Sequence, residues 1–342
     1  MSKGLIPATI LTGFLGAGKT TLLKRVLSEA HGRKIAVIEN EFGEENIDNE
    51  ILVADTTEQI LQLSNGCVCC TIREDLRSTL ATLAEKRRKG ELDFERVVIE
   101  TTGLADPGPV AQTFFMDDEI AESYLLDSIL TLVDAKHAEG QFDARQEARR
   151  QVGFADQIFI SKSELVDEAT LHALTDRIKH MNPRAPRRLV HFGEVPISEV
   201  FDLRGFNLNA QLEIDPEFLN NDEHAHHDHA HEEHCDHPHH HAHDDDVKSF
   251  VFRADKAFNA AKLEDFLGAI VQVYGPKMLR YKGVLYMKGS DKKVIFQGVH
   301  QLMGSDLGPK WLPGEKKQSK MVFIGIDLPK DILLQGLEQC LV

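Results

Sequence analysis

Residues 8–21, ATILTGFLGAGKTT, restrict the fold of this chain more than any other stretch. Gly13 to Thr20 fit the spacing G-x-x-x-x-G-K-[ST], between an apolar, β-prone run (Ala8 to Leu11) and a helix-like run (Thr21 to Ser28). A strand that turns at once into a helix needs residues without a Cβ. Gly13, Gly16 and Gly18 let the backbone fold tightly and aim its N–H groups inward. A helix starting near Lys19 adds the positive end of its dipole, so the loop suits phosphate oxygens. Lys19 would reach the terminal phosphates and the Thr20 hydroxyl would hold Mg²⁺, with Ala17 and Thr21 on the same loop.

Short apolar runs recur downstream, at Ile35 to Ile38, Val97 to Ile99, Ser128 to Val133, Gln157 to Ile160 and Arg188 to His191. Segments of helical period, such as Arg73 to Lys89 and Glu168 to Met181, lie between them. Strands alternating with helices predict an α/β fold: a P-loop NTPase with a mostly parallel sheet and helices on both faces. Ligands of such sheets bind beyond the carboxyl ends of the strands, and the remaining motifs fall there.

Val97 to Pro107, VVIETTGLADP, is an apolar strand capped by an acid. Glu100 would support the Mg²⁺ shell, and Gly103 would bring a flexible backbone N–H near a γ-phosphate. After the run at 157–160 comes SKSE, where guanine-reading folds carry N/T-K-x-D. Ser161, Lys162 and Glu164 hold that order, which favours guanine over adenine, although Glu164 is one methylene longer than the usual Asp.

Two further stretches point to metal. IENEFGEENID (Ile38 to Asp48) puts Glu39 and Glu44 in an acidic loop after the second strand; a solvated loop is the plain alternative. SNGCVCC (Ser64 to Cys70) crowds Cys67, Cys69 and Cys70 into a tight loop, a density of soft ligands that suits Zn²⁺ or Cu(I) better than Mg²⁺. Three thiolates leave a tetrahedral site incomplete, as a transfer site would be; Glu39 or Glu44 nearby, a water, a partner or a transferred ligand would complete it.

Residues 222–246, DEHAHHDHAHEEHCDHPHHHAHDDD, hold nine acids, no Lys or Arg, and eleven histidines. These are His224, His226, His227, His229, His231, His234, His237, His239, His240, His241 and His243. No repeating apolar face exists there, so the tract cannot bury a core; neutral imidazoles between carboxylates suit Zn²⁺, Ni²⁺, Cu²⁺ or Co²⁺ with weak selectivity. A solvated linker with incidental metal affinity is the competing reading. The whole chain carries −16, of which −7 lies outside the tract, a balance that argues against nucleic acid. No apolar run approaches the roughly 18 residues of a membrane span, and no leader pattern opens the sequence, so a cytoplasmic protein is expected.

From Val247 a smaller α+β domain is expected. Strands are read at Lys248 to Arg253, Val284 to Lys288, Lys293 to Val299 and Met321 to Ile326, with helices at Ala260 to Val273 and Lys330 to Leu341. Arg280, Tyr281, Lys282, His300 and Trp311 read either as a partner surface or as packing for a small sheet. The expected domains are 1–210, nucleotide-binding; 211–246, a linker with the metal-binding tract; and 247–342, the C-terminal domain.

In this order GFLGAGKTT, ENEFGE, NGCVCC, ETTGLADP and SKSE resemble the CobW-type metal-handling P-loop GTPases, and RYKGVLY, IFQGVHQL and MVFIGID resemble that family's C-terminal domain. The resemblance implies slow intrinsic hydrolysis of GTP and delivery of a metal such as zinc or cobalt to a client metalloprotein. It also implies metal binding at Cys67, Cys69 and Cys70 with help from Glu39 and Glu44. A metal- or nucleotide-dependent homo-oligomer is compatible with it. Two other functions fit the same motifs: a metal store or sensor with a structural nucleotide, and a nickel-specific enzyme-maturation NTPase.

Overall fold

The computed structural model describes residues 4–29, 33–39, 60–62, 71–206 and 245–342. Its first part is a parallel seven-stranded sheet in the order β3-β2-β4-β1-β5-β6-β7. The strands are β1 (Ile6–Gly13), β2 (Ile35–Glu39), β3 (Ile60–Gln62), β4 (Arg96–Glu100), β5 (Tyr124–Asp134), β6 (Gln157–Ser161) and β7 (Arg187–Val190). Six were legible from apolar runs; the three-residue β3 was not. The central strands are buried on both faces (every residue of β4 and β6, all but Pro7 of β1, all but Leu125 of β5), as parallel strands between two helical layers must be.

Register puts the carboxyl ends in one row. Leu11 pairs with Glu100, Glu39 with Glu100, Gly13 with Leu132, Asp134 with Ser161, and Ser161 with Val190. Strand β1 lies between β4 and β5, so the chain leaves its neighbours toward opposite sides and a crevice opens at its end.

Helix α1 (Lys19–Ser28) covers one face, burying Leu22, Leu23 and Val26 on Leu11, Val98 and Leu130. The other face carries α2 (Thr71–Lys89), α3 (Pro107–Met116), α4 (Asp118–Ser123), α5 (Ala138–Ala144), α6 (Gln146–Phe154) and α7 (Glu168–Met181). Four of these, α3 to α6, were not legible. The Pro-Gly-Pro that opens α3 reads as a turn, yet Asp106 caps the helix by accepting from the Gly108 N–H at 2.9 Å, and Pro107 sits in the first turn, where a missing N–H costs nothing.

The second part is a five-stranded antiparallel sheet, β11-β10-β9-β12-β8. Its strands are β8 (Val247–Ala254), β9 (Met278–Leu285), β10 (Lys292–Val299), β11 (Leu302–Lys310) and β12 (Ser319–Ile326), joined by α8 (Ala260–Tyr274) and α9 (Lys330–Gln339). The strand expected over Val284 to Lys288 is displaced: it runs Met278–Leu285, and Tyr286 to Lys288 leave the sheet toward the Phe258–Met287 bridge. Strands β9 and β12 are buried at every residue. One face packs on α8 and α9 through Tyr281 and Phe323; the other joins the first part's core through Val322 and Ile324. Arg280, Tyr281, Lys282, His300 and Trp311 are therefore packing residues, all buried, and the partner-surface reading falls.

Polar ties reinforce that junction. Asp156, just before β6, accepts from Arg280 at 3.0 Å and from Lys282 at 2.8 Å. At residues 245 and 246, Arg177 holds Asp245 through two contacts of 2.8 and 2.9 Å, and Arg149 binds Asp246. Among the described residues no helix is long and apolar enough to cross a membrane.

Candidate nucleotide site

The glycines at the end of β1 have the backbone the motif demands: φ is 145° at Gly13, 76° at Gly16 and 98° at Gly18. A Cβ on Gly13 would stand 2.4 Å from the Leu132 carbonyl oxygen, so the loop leaves the sheet flush against β5. Gly18 is the N-cap of α1 and offers no side chain to its first N–H groups, and no acid stands in the first turn. That helix end therefore keeps its positive potential for an anion.

Lys19 is buried and folds back over the loop, donating to the Gly13 carbonyl at 2.9 Å and the Phe14 carbonyl at 3.4 Å. Burial lowers its pKa, with the Glu100 charge pulling the other way. The Thr20 hydroxyl donates to Glu100 Oε1 at 2.9 Å, across 80 residues of sequence. The Thr101 N–H bonds the Leu11 carbonyl at 2.9 Å, and its hydroxyl meets that of Thr12 at 2.9 Å, which locks the end of β4 beside β1. A Cβ on Gly103 would sit 2.6 Å from the Leu15 nitrogen; the loop after Glu100 lies directly on the glycine loop, and only glycine permits that approach.

The far wall comes from β6. The Ser161 hydroxyl donates to the Ala17 carbonyl at 2.7 Å. Lys162, at φ 57°, donates to the Gly16 carbonyl at 2.8 Å and to Asp134 Oδ2 at 2.7 Å. Asp134 is a residue that sequence reading missed, although Leu132-Val133-Asp134 is an apolar strand ended by an acid, the same signal that singled out Glu100. Burial pushes its pKa up, but hydrogen bonds from Lys162 and His137 more than offset this and hold it below the usual range. Glu164 Oε2 lies 3.1 Å from His191 Nδ1, in the loop after β7, which was also missed. Next to it Phe192 is 82% exposed at φ 47°, and Gly193 is packed on α1, where a Cβ would stand 2.9 Å from Leu22 Cα.

Gly13, Gly16, Ala17, Gly18, Lys19, Thr20, Glu100, Gly103, Ser161 and Lys162 thus meet at one edge of the sheet. Thr21 is exposed on α1, and Glu164 stands slightly apart, turned to His191. Glu39 ends β2 level with Glu100; its side chain lies outside the described residues. Also outside them are Glu44, Cys67, Cys69, Cys70 and the histidines His224, His226, His227, His229, His231, His234, His237, His239, His240, His241 and His243. Among the described residues no three His, Cys, Asp or Glu side chains converge as a metal site.

Comparison with known proteins places this geometry. Residues 7–188 match the model of the CobW/HypB/UreG nucleotide-binding domain, and residues 247–341 that of the cobalamin synthesis protein cobW C-terminal domain. The zinc chaperone YjiA of Escherichia coli K12 is 39% identical over 327 residues, covering 95% of this chain and 96% of its own. The zinc chaperone CobW of Pseudomonas aeruginosa is 34% identical over 367 residues, covering 98% and 92%. The crystal structure of the Zn(II)-bound YjiA GTPase from E. coli superposes with a TM-score of 0.76 at 34% identity, covering 98% of this chain and 99% of that one.

Proposed function

The chain belongs to the CobW/HypB/UreG family of nucleotide-binding proteins, and from that membership we propose that it is a GTP-hydrolysing metallochaperone that couples nucleotide state to the transfer of zinc to a client metalloprotein. YjiA is named a zinc chaperone and a GTPase, which supports GTP as substrate and zinc as cargo here. The observation that carries the assignment is the Thr20 hydroxyl on Glu100 at 2.9 Å, beside a buried Lys19 and an uncapped helix N-terminus.

In the proposed roles, the N–H groups of the glycine loop and Lys19 cradle the triphosphate. Lys19 exchanges its carbonyl partners for phosphate oxygens, a stronger charge-assisted bond. Thr20 and Glu100 are adjacent hard oxygen donors of the kind that would hold Mg²⁺. When bound, Mg²⁺ would neutralise charge developing on the phosphate oxygens. Ser161 and Lys162 brace the loop from the base side, Lys162 lays its stem along the guanine, and Glu164 reads the base edge. Cys67, Cys69, Cys70, Glu39 and Glu44 are the proposed zinc ligands at the switch, and the histidine tract collects ions for them. The proposed division is 1–210, 211–246 and 247–342, in a cytoplasmic protein; family matches over 7–188 and 247–341 support the first and last units.

Linkage requires that, if GTP changes zinc affinity, zinc changes GTP affinity by the same factor. Zinc titrations of the full chain with GDP and with a non-hydrolysable GTP analogue test this, alongside phosphate release. Replacing the tract histidines with asparagine isolates the cysteine loop. Affinities about fivefold or more apart are expected. Equal affinities would instead describe a metal store with a structural nucleotide, and a clear preference for Ni²⁺ over Zn²⁺ a nickel-specific maturation factor.

A further inference from the structure

Gln151, on α6, is 1% exposed, and the roles assigned so far do not use it. Its side-chain amide donates to the Gly103 carbonyl at 3.1 Å and to the Ala105 carbonyl at 3.0 Å. The amide nitrogen has two N–H groups, and both are spent on the loop that follows Glu100. Arg150, one residue earlier, donates to Asp106 Oδ2 at 2.6 Å, while Asp106 Oδ1 takes the Gly108 N–H and caps α3. Two consecutive side chains of α6 therefore grip the loop at 103, 105 and 106.

That loop is the one whose Gly103 rests on Leu15 of the glycine loop with no room for a Cβ. The Gln151 carbonyl accepts from the Thr131 hydroxyl at 2.9 Å, so α6 is itself tied to β5 beside the site. At its other end α6 meets the second sheet. A Cβ on Gly153 would stand 2.7 Å from Leu279 Cδ1, and the Phe154 ring meets His300 edge-on at 5.1 Å.

We propose that Gln151 is a positioning residue for hydrolysis: it holds the carbonyl side of Gly103 against the glycine loop, which narrows the directions open to the adjoining Gly103 amide at the point where the γ-phosphate must be met. The proposal rests on the GTPase reading of the site. A donor pair aimed from a packed helix fixes two carbonyls in space, and with them the peptide planes of a loop that glycine would otherwise leave free. The grip also fails or holds with the seating of α6 on the second sheet, which makes turnover sensitive to that sheet although it carries no phosphate contact in this scheme.

The test is steady-state hydrolysis by the full chain with Gln151→Met, which keeps the volume and loses both hydrogen bonds, and with Gln151→Glu, which turns an acceptor toward two carbonyls. Expected are a kcat about tenfold lower for Q151M and lower still for Q151E, with KM and GDP affinity within about threefold of the parent. A kcat unchanged in Q151M overturns the proposal; so does an equal loss in kcat, GDP affinity and thermal midpoint, which describes packing alone. In the parent chain, hydrogen exchange of the peptide spanning 103–108 should be slower with a GTP analogue than with GDP. Identical exchange overturns the proposal even if the variants do not fold. A parent chain that binds GTP but releases no phosphate would defeat the GTPase reading instead.

Discussion

Two of the charged clusters among the described residues are closed to different degrees. At the edge of the parallel sheet, the buried Lys19 spends its bonds on the carbonyls of Gly13 and Phe14, neutral partners that a phosphate would displace. At the junction of the sheets, Asp156 Oδ1 takes both Arg280 and Lys282, Asp156 Oδ2 takes the Ile129 N–H, and the Gly205 carbonyl takes both cations again at 2.9 Å. The Arg280 guanidinium also lies 3.4 Å above the Phe206 ring centroid. The first cluster is exchangeable and the second is permanent. Burial alone does not distinguish a binding site from a rivet; the identity of the partners does.

The sharpest way to break that contrast is Asp156→Ala. It leaves two buried cations without their carboxylate and should lower the unfolding free energy by about 3–5 kcal/mol in denaturant titration. A loss below about 1 kcal/mol would mean the junction is held by apolar packing. The pH dependence should report the same cluster. Burial pushes the Lys282 pKa down to about 8, with Asp156 pulling it back, whereas in the unfolded chain it stands near about 10.4. Between these values the unfolded chain holds the proton and the folded one does not, so the contribution of Lys282 to stability rises with pH. Relative to Lys282→Met, the parent should gain about 2 kcal/mol from pH 8 to pH 10.

At the exchangeable edge the response should reverse. Lys19→Ala should weaken GTP binding by about 1.5–3 kcal/mol in calorimetry and leave the nucleotide-free unfolding free energy within about 1 kcal/mol of the parent. The smallest effect belongs to Glu164→Asp, which withdraws the carboxylate from His191 at an exposed contact. It should shift GTP-over-ATP competition toward GTP by less than about tenfold.

The same contrast explains what the sequence could tell. A phosphate cradle needs particular residues at particular spacings, so the glycine loop, Lys19, Thr20 and Glu100 could be read before any fold was known, although Thr20 and Glu100 stand 80 residues apart. The strand ends supplied the missing distance. Nothing comparable marks Asp156, which finds Arg280 and Lys282 at separations of 124 and 126 residues. Arg280-Tyr281-Lys282 alternates as a half-solvated strand would, and only the packing of β9 between two layers buries both faces. Strand β11 escaped for a related reason: Gly304, Gly308 and Pro309 argue against a strand, yet an edge position tolerates them. Gln151 could not be found from sequence, because an amide inside a helix carries no spacing signal until its target loop is placed.

The Asp156 rivet also limits how such a protein can be rearranged. The anion lies in the first sheet's half of the chain and its two cations in the second, with the Gly205 carbonyl completing the set from the connecting stretch. A recombination that exchanged the C-terminal half alone would orphan a carboxylate on one side and import unmatched cations on the other. The two halves therefore travel as a pair, inherited or engineered together, unless Asp156, Arg280 and Lys282 are replaced in a single step.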